Sequence, residues 1–318
     1  MFCQKVKTFY HWYKHHLSDY FSDIERGLWC SEKIELVDIE TGFIDERPLY
    51  VFKSENVGQN MSIDDKFLGG DGFTILSNTD TGKIAMMVES VNSEGVHAAM
   101  EKFGDHLQKV KSISMDMSAV YSLVSDNLMP HATQVIDKYH VIKYVYDAVC
   151  NVRKKIRKNL ASNLSKGKKK TAQDKQILSE IELLRRVRHA ITQSPDKWSQ
   201  KMKETVTQVF SKHDELKIAY IISQNFKHWY DYQNHTKTRK QITEDLQKWY
   251  EQANQIKEFE SVTKMIRKHE DEIINFFQNG ITNAKAERLN GKIKRFVTNN
   301  YGVKDKDFIL YRIAGYFS

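Results

Sequence analysis

Five short segments of β character follow one another between residues 60 and 138, and from residue 139 onward the apolar pattern is helical throughout. That change of period limits the fold more than any other feature of the chain. The segments are 61–67 (MSIDDKF), 72–77 (GFTILS), 83–89 (KIAMMVE), 112–117 (SISMDM) and 132–136 (ATQVI). Residues 78–82 (NTDTG) carry turn chemistry between the second and third. A helix is predicted over 93–108, with Val96, Ala99, Met100, Phe103 and Leu107 on one face, and a shorter one over 118–128. The order is strand, strand, strand, helix, strand, helix, strand.

The helical part has only Pro195 to interrupt it, so long helices can run unbroken. Ile242, Leu246, Trp249, Tyr250, Ala253 and Ile256 form one apolar stripe, and Val262, Met265, Ile266, Ile273, Phe276 and Phe277 form another. Both read as bundle core. Residues 4–28 read as an aromatic-rich helical stretch with Phe9, Trp12, Tyr13, Leu17 and Phe21 at mostly helical spacing.

Charge is concentrated rather than spread. The net charge is +8, yet residues 151–200 hold 14 Lys/Arg against 4 Asp/Glu. Such a block suits a face that lies along phosphates, the alternative being a solvated helical region with a lysine-rich loop. Its members are Arg153, Lys154, Arg157 and Lys158 on one helix, Lys168, Lys169 and Lys170 in a basic loop, and Arg185, Arg186 and Arg188 on the next helix. The first fifty residues, by contrast, hold 6 Lys/Arg and 9 Asp/Glu. Cys3, Cys30 and Cys150 are too few and too scattered for a zinc site or a disulfide framework. Without an apolar leader or an apolar run of membrane-spanning length, the chain reads as cytoplasmic, with no membrane partner.

Three acids stand out by context. Asp64 and Asp116 lie within the first and fourth of the predicted strands, where an unpaired charge is costly. Each alone is equally readable as a capping carboxylate. In an RNase H-like sheet those two strands are central neighbours. Glu287 lies on a predicted helix with Asn290 at i+3 and Lys294 at i+7 on the same face.

The segments SIDDKFL (62–68), VKSISMDMSAVY (110–121), ATQVIDKYHVIKYVYDAV (132–149) and TNAKAERLNGKIK (282–294), in this order and spacing, resemble DDE transposases of bacterial insertion sequences, in particular the ISL-three group. The resemblance implies an α/β fold, an RNase H-like mixed sheet with a large all-α insertion before the catalytic glutamate helix. It divides the chain into an N-terminal segment 1–58, a first core part 59–145, a basic helical insertion 146–278 and a closing core part 279–318. It makes Asp64, Asp116 and Glu287 the catalytic carboxylates and metal ligands. Asp65 stands where the family more often has glutamate, which leaves Asp64 or Asp65 as the ligand; strand alternation against Ile63 favours Asp64. Asp137 and His140 resemble an Asp-x-x-His element of related families, to be read as support for the site or as a helix cap.

Oxygen-only ligands suit Mg²⁺ or Mn²⁺, two ions in the expected arrangement. The implied activity is metal-dependent cleavage of DNA at element ends and strand transfer into a target. The alternatives are a nuclease of the same fold and an inactive, transposase-derived DNA-binding protein. The implied partners are double-stranded DNA and further copies of the chain. Because the N-terminal segment lacks a Cys-x-x-Cys pair and is net acidic, recognition of the element ends is expected from a separate small protein, or the chain is a truncated copy. The aromatic face of Phe9, Trp12, Tyr13 and Phe21 is then either a docking surface or part of the chain's own core.

Overall fold

In the computed structural model each of the five β-type segments is a strand, and two further strands precede them. The structure describes residues 2–38, 40–68, 70–165, 171–230, 236–279, 284–299 and 305–318. It divides into two compact units, residues 1–137 with 279–318, and residues 138–278.

The first unit opens with α1 (Phe2–His16) and α2 (Tyr20–Glu25), followed by β1 (Lys33–Val37) and β2 (Ile44–Phe52). Then come β3 (Asn60–Leu68), β4 (Asp71–Asn78) and β5 (Lys83–Val88), a meander of antiparallel neighbours. Helix α3 (Ser93–Glu101) leads to β6 (Ser112–Met115), and α4 (Ala119–Leu128) leads to β7 (Thr133–Ile136). The sheet order is β1-β2-β5-β4-β3-β6-β7. Only β3–β6 and β6–β7 pair in parallel, as helical crossovers allow. The sheet is therefore mixed.

Local chemistry explains the breaks. The Asn78 side-chain oxygen accepts the Asp80 and Thr81 N–H groups at 2.8 and 3.1 Å, and Gly82 takes φ +76°, which closes the β4–β5 turn. Asn92 caps α3 by accepting the Gly95 N–H at 2.9 Å. Beyond Glu101 the predicted helix tightens into a 3₁₀ turn over Gly104–Lys109, with Gly104 at φ +49°.

The second unit is helical: α5 (Lys138–Ser162), α6 (Ala172–Arg186), α7 (Gln200–Phe210), α8 (Asp214–Trp229), α9 (Arg239–Ala253), α10 (Glu260–Lys268) and α11 (Glu270–Asn279). Both apolar stripes expected from the sequence lie in its core, with Met265 and Phe276 half-buried and the rest buried. Phe226 and Phe259 pack against Trp249 there, tilted and edge-on, and the Trp249 indole N–H donates to the Ile222 carbonyl at 3.0 Å.

The chain returns to the first unit with α12 (Ala284–Asn299) and α13 (Lys306–Phe317). Leu289 and Ile293 of α12 and Leu310 and Ile313 of α13 pack on Phe73, Ile75, Ile84 and Met87 of the sheet. The N-terminal aromatics divide between two roles. Tyr10 and Tyr20 bury against Phe308, with Tyr13 packed on that cluster. Phe9, Trp12 and Phe21 stay 63%, 46% and 39% exposed. Among the described residues no helix is long and apolar enough to cross a membrane.

Candidate active site

Strand pairing aligns β3 with β6 just ahead of Asp64 and Asp116. β3 and β6 run parallel, with Asn60, Met61 and Ser62 opposite Ser112, Ile113 and Ser114. Continued by two residues, this register brings Asp64 level with Asp116, which directly follows β6. Next to it, Met115 pairs with Ile136, and the Asp137 N–H donates to the Met115 carbonyl at 2.8 Å. Asp137 is thereby level with Asp116 as well. By these registers Asp64 in β3 and the residues that directly follow β6 and β7, Asp116 and Asp137, hold corresponding positions on three adjacent parallel strands.

Strand alternation separates Asp64 from Asp65. Asp64 lies opposite Ile75, and Asp65 opposite Thr74. Residues paired across a ladder share a face. Ile75 belongs to the core onto which Leu289 and Ile293 pack, so Asp64 is on the sheet face that α12 covers. Asp65 is on the other face, where the Thr74 hydroxyl lies 3.3 Å from the Tyr121 hydroxyl of α4.

Each of the two expected ligands uses one oxygen locally. Asp64 Oδ1 accepts the Asp65 N–H at 2.9 Å, and Asp116 Oδ1 accepts the Ser118 N–H at 2.8 Å. Those bonds hold one oxygen of each carboxylate. The other oxygen of Asp64, Oδ2, meets Lys66 Nζ at 2.5 Å. Asp65 is less well supplied: its Oδ1 is buried without a hydrogen-bond partner. Burial first, then the charges of Asp116 and Asp64, pushes its carboxyl up to about 6. The all-oxygen donors of these carboxylates fit a hard divalent cation. Among the described residues, however, no three His, Cys, Asp or Glu side chains converge to hold a metal ion.

The remaining expected site residues fall as follows. Glu287 is in the first turns of α12, and Asn290 follows one turn later; both side chains lie outside the described residues. Lys294, farther along α12, is exposed. His140 is in α5, half-buried, with its ring edge-on to Tyr139. Lys66 is absent from the residues expected to form the site, although its i+2 spacing from Asp64 on a strand is a sufficient signal that the two share a face.

The basic block divides into surface and core. Lys154, Arg157, Lys158 and Arg185 line a cleft of about 410 Å³ between α5 and α6, over a floor that includes Leu178 and Ile181. Arg186 and Arg188 are exposed, with Arg186 3.4 Å from Glu182. Lys168, Lys169 and Lys170 lie outside the described residues. Arg153 departs from the expected surface role. It is 3% exposed and donates to the Leu184 carbonyl at 3.1 Å, tying α5 to α6. The reason is its position one turn after Val149, on the buried stripe of α5.

No curated protein and no solved structure matches the chain. A family model does, that of the DDE transposases of the ISL3 group, described as "Transposase", over residues 61–313. The match begins in β3, ends in α13 and takes in Asp64, Asp116, Asp137 and Glu287. The chain belongs to the ISL3 group of DDE transposases, proteins of transposable elements that act on DNA.

Proposed function

We propose that the first unit is an RNase H-like catalytic core and that it cleaves DNA at element ends and joins them to a target, with Asp64, Asp116 and Glu287 as the reacting-site carboxylates. The second unit is then the all-helical insertion that precedes the glutamate helix. What supports this reading is the parallel β3–β6 register, which, continued by two residues, would bring Asp64 level with Asp116, and the place of Asp64 on the sheet face against which α12 packs.

Asp64, Asp116 and Glu287 would hold Mg²⁺ or Mn²⁺, two ions in the full site. The bound ions supply an activated water or 3′-hydroxyl and charge stabilisation for the leaving oxygen. The chain's own residues do the positioning. The Asp65 and Ser118 N–H groups orient the two aspartates. Asp137, level with Asp116, supports the same edge of the sheet. Lys294 is exposed for a phosphate, and Asn290 precedes it by four residues on the same helix. Lys154, Arg157, Lys158 and Arg185 form a phosphate-binding face on the second unit.

A strand-transfer assay tests the reaction class. With a pre-cut element end, target DNA and Mg²⁺, a covalently joined product is expected. Metal-dependent nicking without joining would make the protein a nuclease of this fold. DNA binding with neither reaction would make it an inactive relative.

A further inference from the structure

Lys66 follows Asp64 by two residues on β3, so both side chains leave the strand on one face. Its ammonium sits 2.5 Å from Asp64 Oδ2, and each side chain is 24% exposed. The other Asp64 oxygen is occupied by the Asp65 N–H. Lys66 is therefore bonded to the Asp64 oxygen that a divalent cation would use. Its positive charge also acts on Asp65, opposing the effect of Asp116 and Asp64 there.

We propose that Lys66 is a built-in counter-ion: it occupies the cation position at Asp64 in the DNA-free protein and gives it up when the divalent ion and DNA bind. This rests on the reading of Asp64 as a metal ligand. A monovalent ammonium and a divalent ion cannot both sit against Asp64 Oδ2 without strong repulsion. Lysine has a flexible four-carbon stem with a compact charge, and partial exposure leaves the head group a way out. A phosphate of bound DNA is a suitable new partner, so ion capture and DNA binding reinforce each other through this one side chain. The negative cluster of Asp64, Asp65 and Asp116 meanwhile keeps a neutralising charge in the resting protein.

The experiment is Mn²⁺ titration of the DNA-free full chain, followed by calorimetry and by the electron spin resonance signal of free Mn²⁺. Lys66→Met, which keeps the length of the side chain and removes the charge, is expected to bind Mn²⁺ about tenfold more tightly than the unaltered protein. Lys66→Arg should bind as the unaltered protein does. Lys66→Gln gives a second neutral variant should methionine at this site impair solubility. Adding duplex DNA should narrow the difference between the neutral variants and the unaltered protein. Equal or weaker Mn²⁺ binding by both neutral variants would overturn the proposal. Unchanged Mn²⁺ binding in Asp64→Asn would instead remove the metal-ligand reading on which it stands.

Discussion

Asp64→Asn and Asp116→Asn are each expected to abolish DNA cleavage and strand transfer, a loss on the order of 10³-fold or more, while duplex binding should persist. Glu287→Gln should have the same effect. These exchanges keep the side-chain shape and remove the charge that a divalent ion requires. Asp65→Asn is the informative contrast. Its side chain is on the opposite sheet face from α12, and its carboxyl, pushed up to about 6 by burial and by Asp116 and Asp64, is held there at a cost. An amide relieves that repulsion, so activity should stay within about tenfold of the unaltered protein. Measuring all four variants in the strand-transfer assay with a pre-cut end checks the assignment. Activity lost in Asp65→Asn and kept in Asp64→Asn would reverse the choice between the two.

The second large effect concerns the basic face. Neutralising Lys154, Arg157 and Lys158 together should weaken binding to cognate and scrambled DNA alike. The dependence of log K on log salt should become shallower by about 3 units, near one for each phosphate that is no longer neutralised. Arg153→Met serves as the internal comparison. That guanidinium is buried and bonded to the Leu184 carbonyl, so the variant should lose thermal stability and keep the salt slope. Filter binding or fluorescence anisotropy over a salt series reads both. A changed sequence preference with an unchanged slope in the triple variant would mean that these residues read bases instead of phosphates.

Much of the first unit is legible in the sequence, because β3 to β7 alternate cleanly or are short apolar runs bounded by turn residues. β1 and β2 are not. β1 is an edge strand with the exposed charges Lys33 and Glu35, and it buries only Ile34 fully. β2 begins with acidic and basic residues and contains Pro48, which ordinarily argues against an interior strand; here Pro48 lies opposite Lys33 of the edge strand. Only its second half, Leu49 to Val51, is buried. That Asp64 and Asp65 lie on opposite faces follows from alternation alone, since it needs only the strand's period of two. The parallel alignment of β3 with β6 does not, because a register between strands distant in the chain is decided by the whole sheet. Arg153 shows the reverse error: reading charge by composition overlooks its place on the stripe of Val141, Val145 and Val149.

The proposed site joins Asp64 and Asp116 with Glu287 of α12 around a shared cation. A crystal structure of the protein soaked in Mn²⁺, with anomalous difference density at the manganese edge, tests it most directly. Density enclosed by the carboxylates of Asp64, Asp116 and Glu287 is expected, with Lys66 displaced from Asp64. Density elsewhere, or density at the two aspartates with Glu287 remote from it, would contradict it.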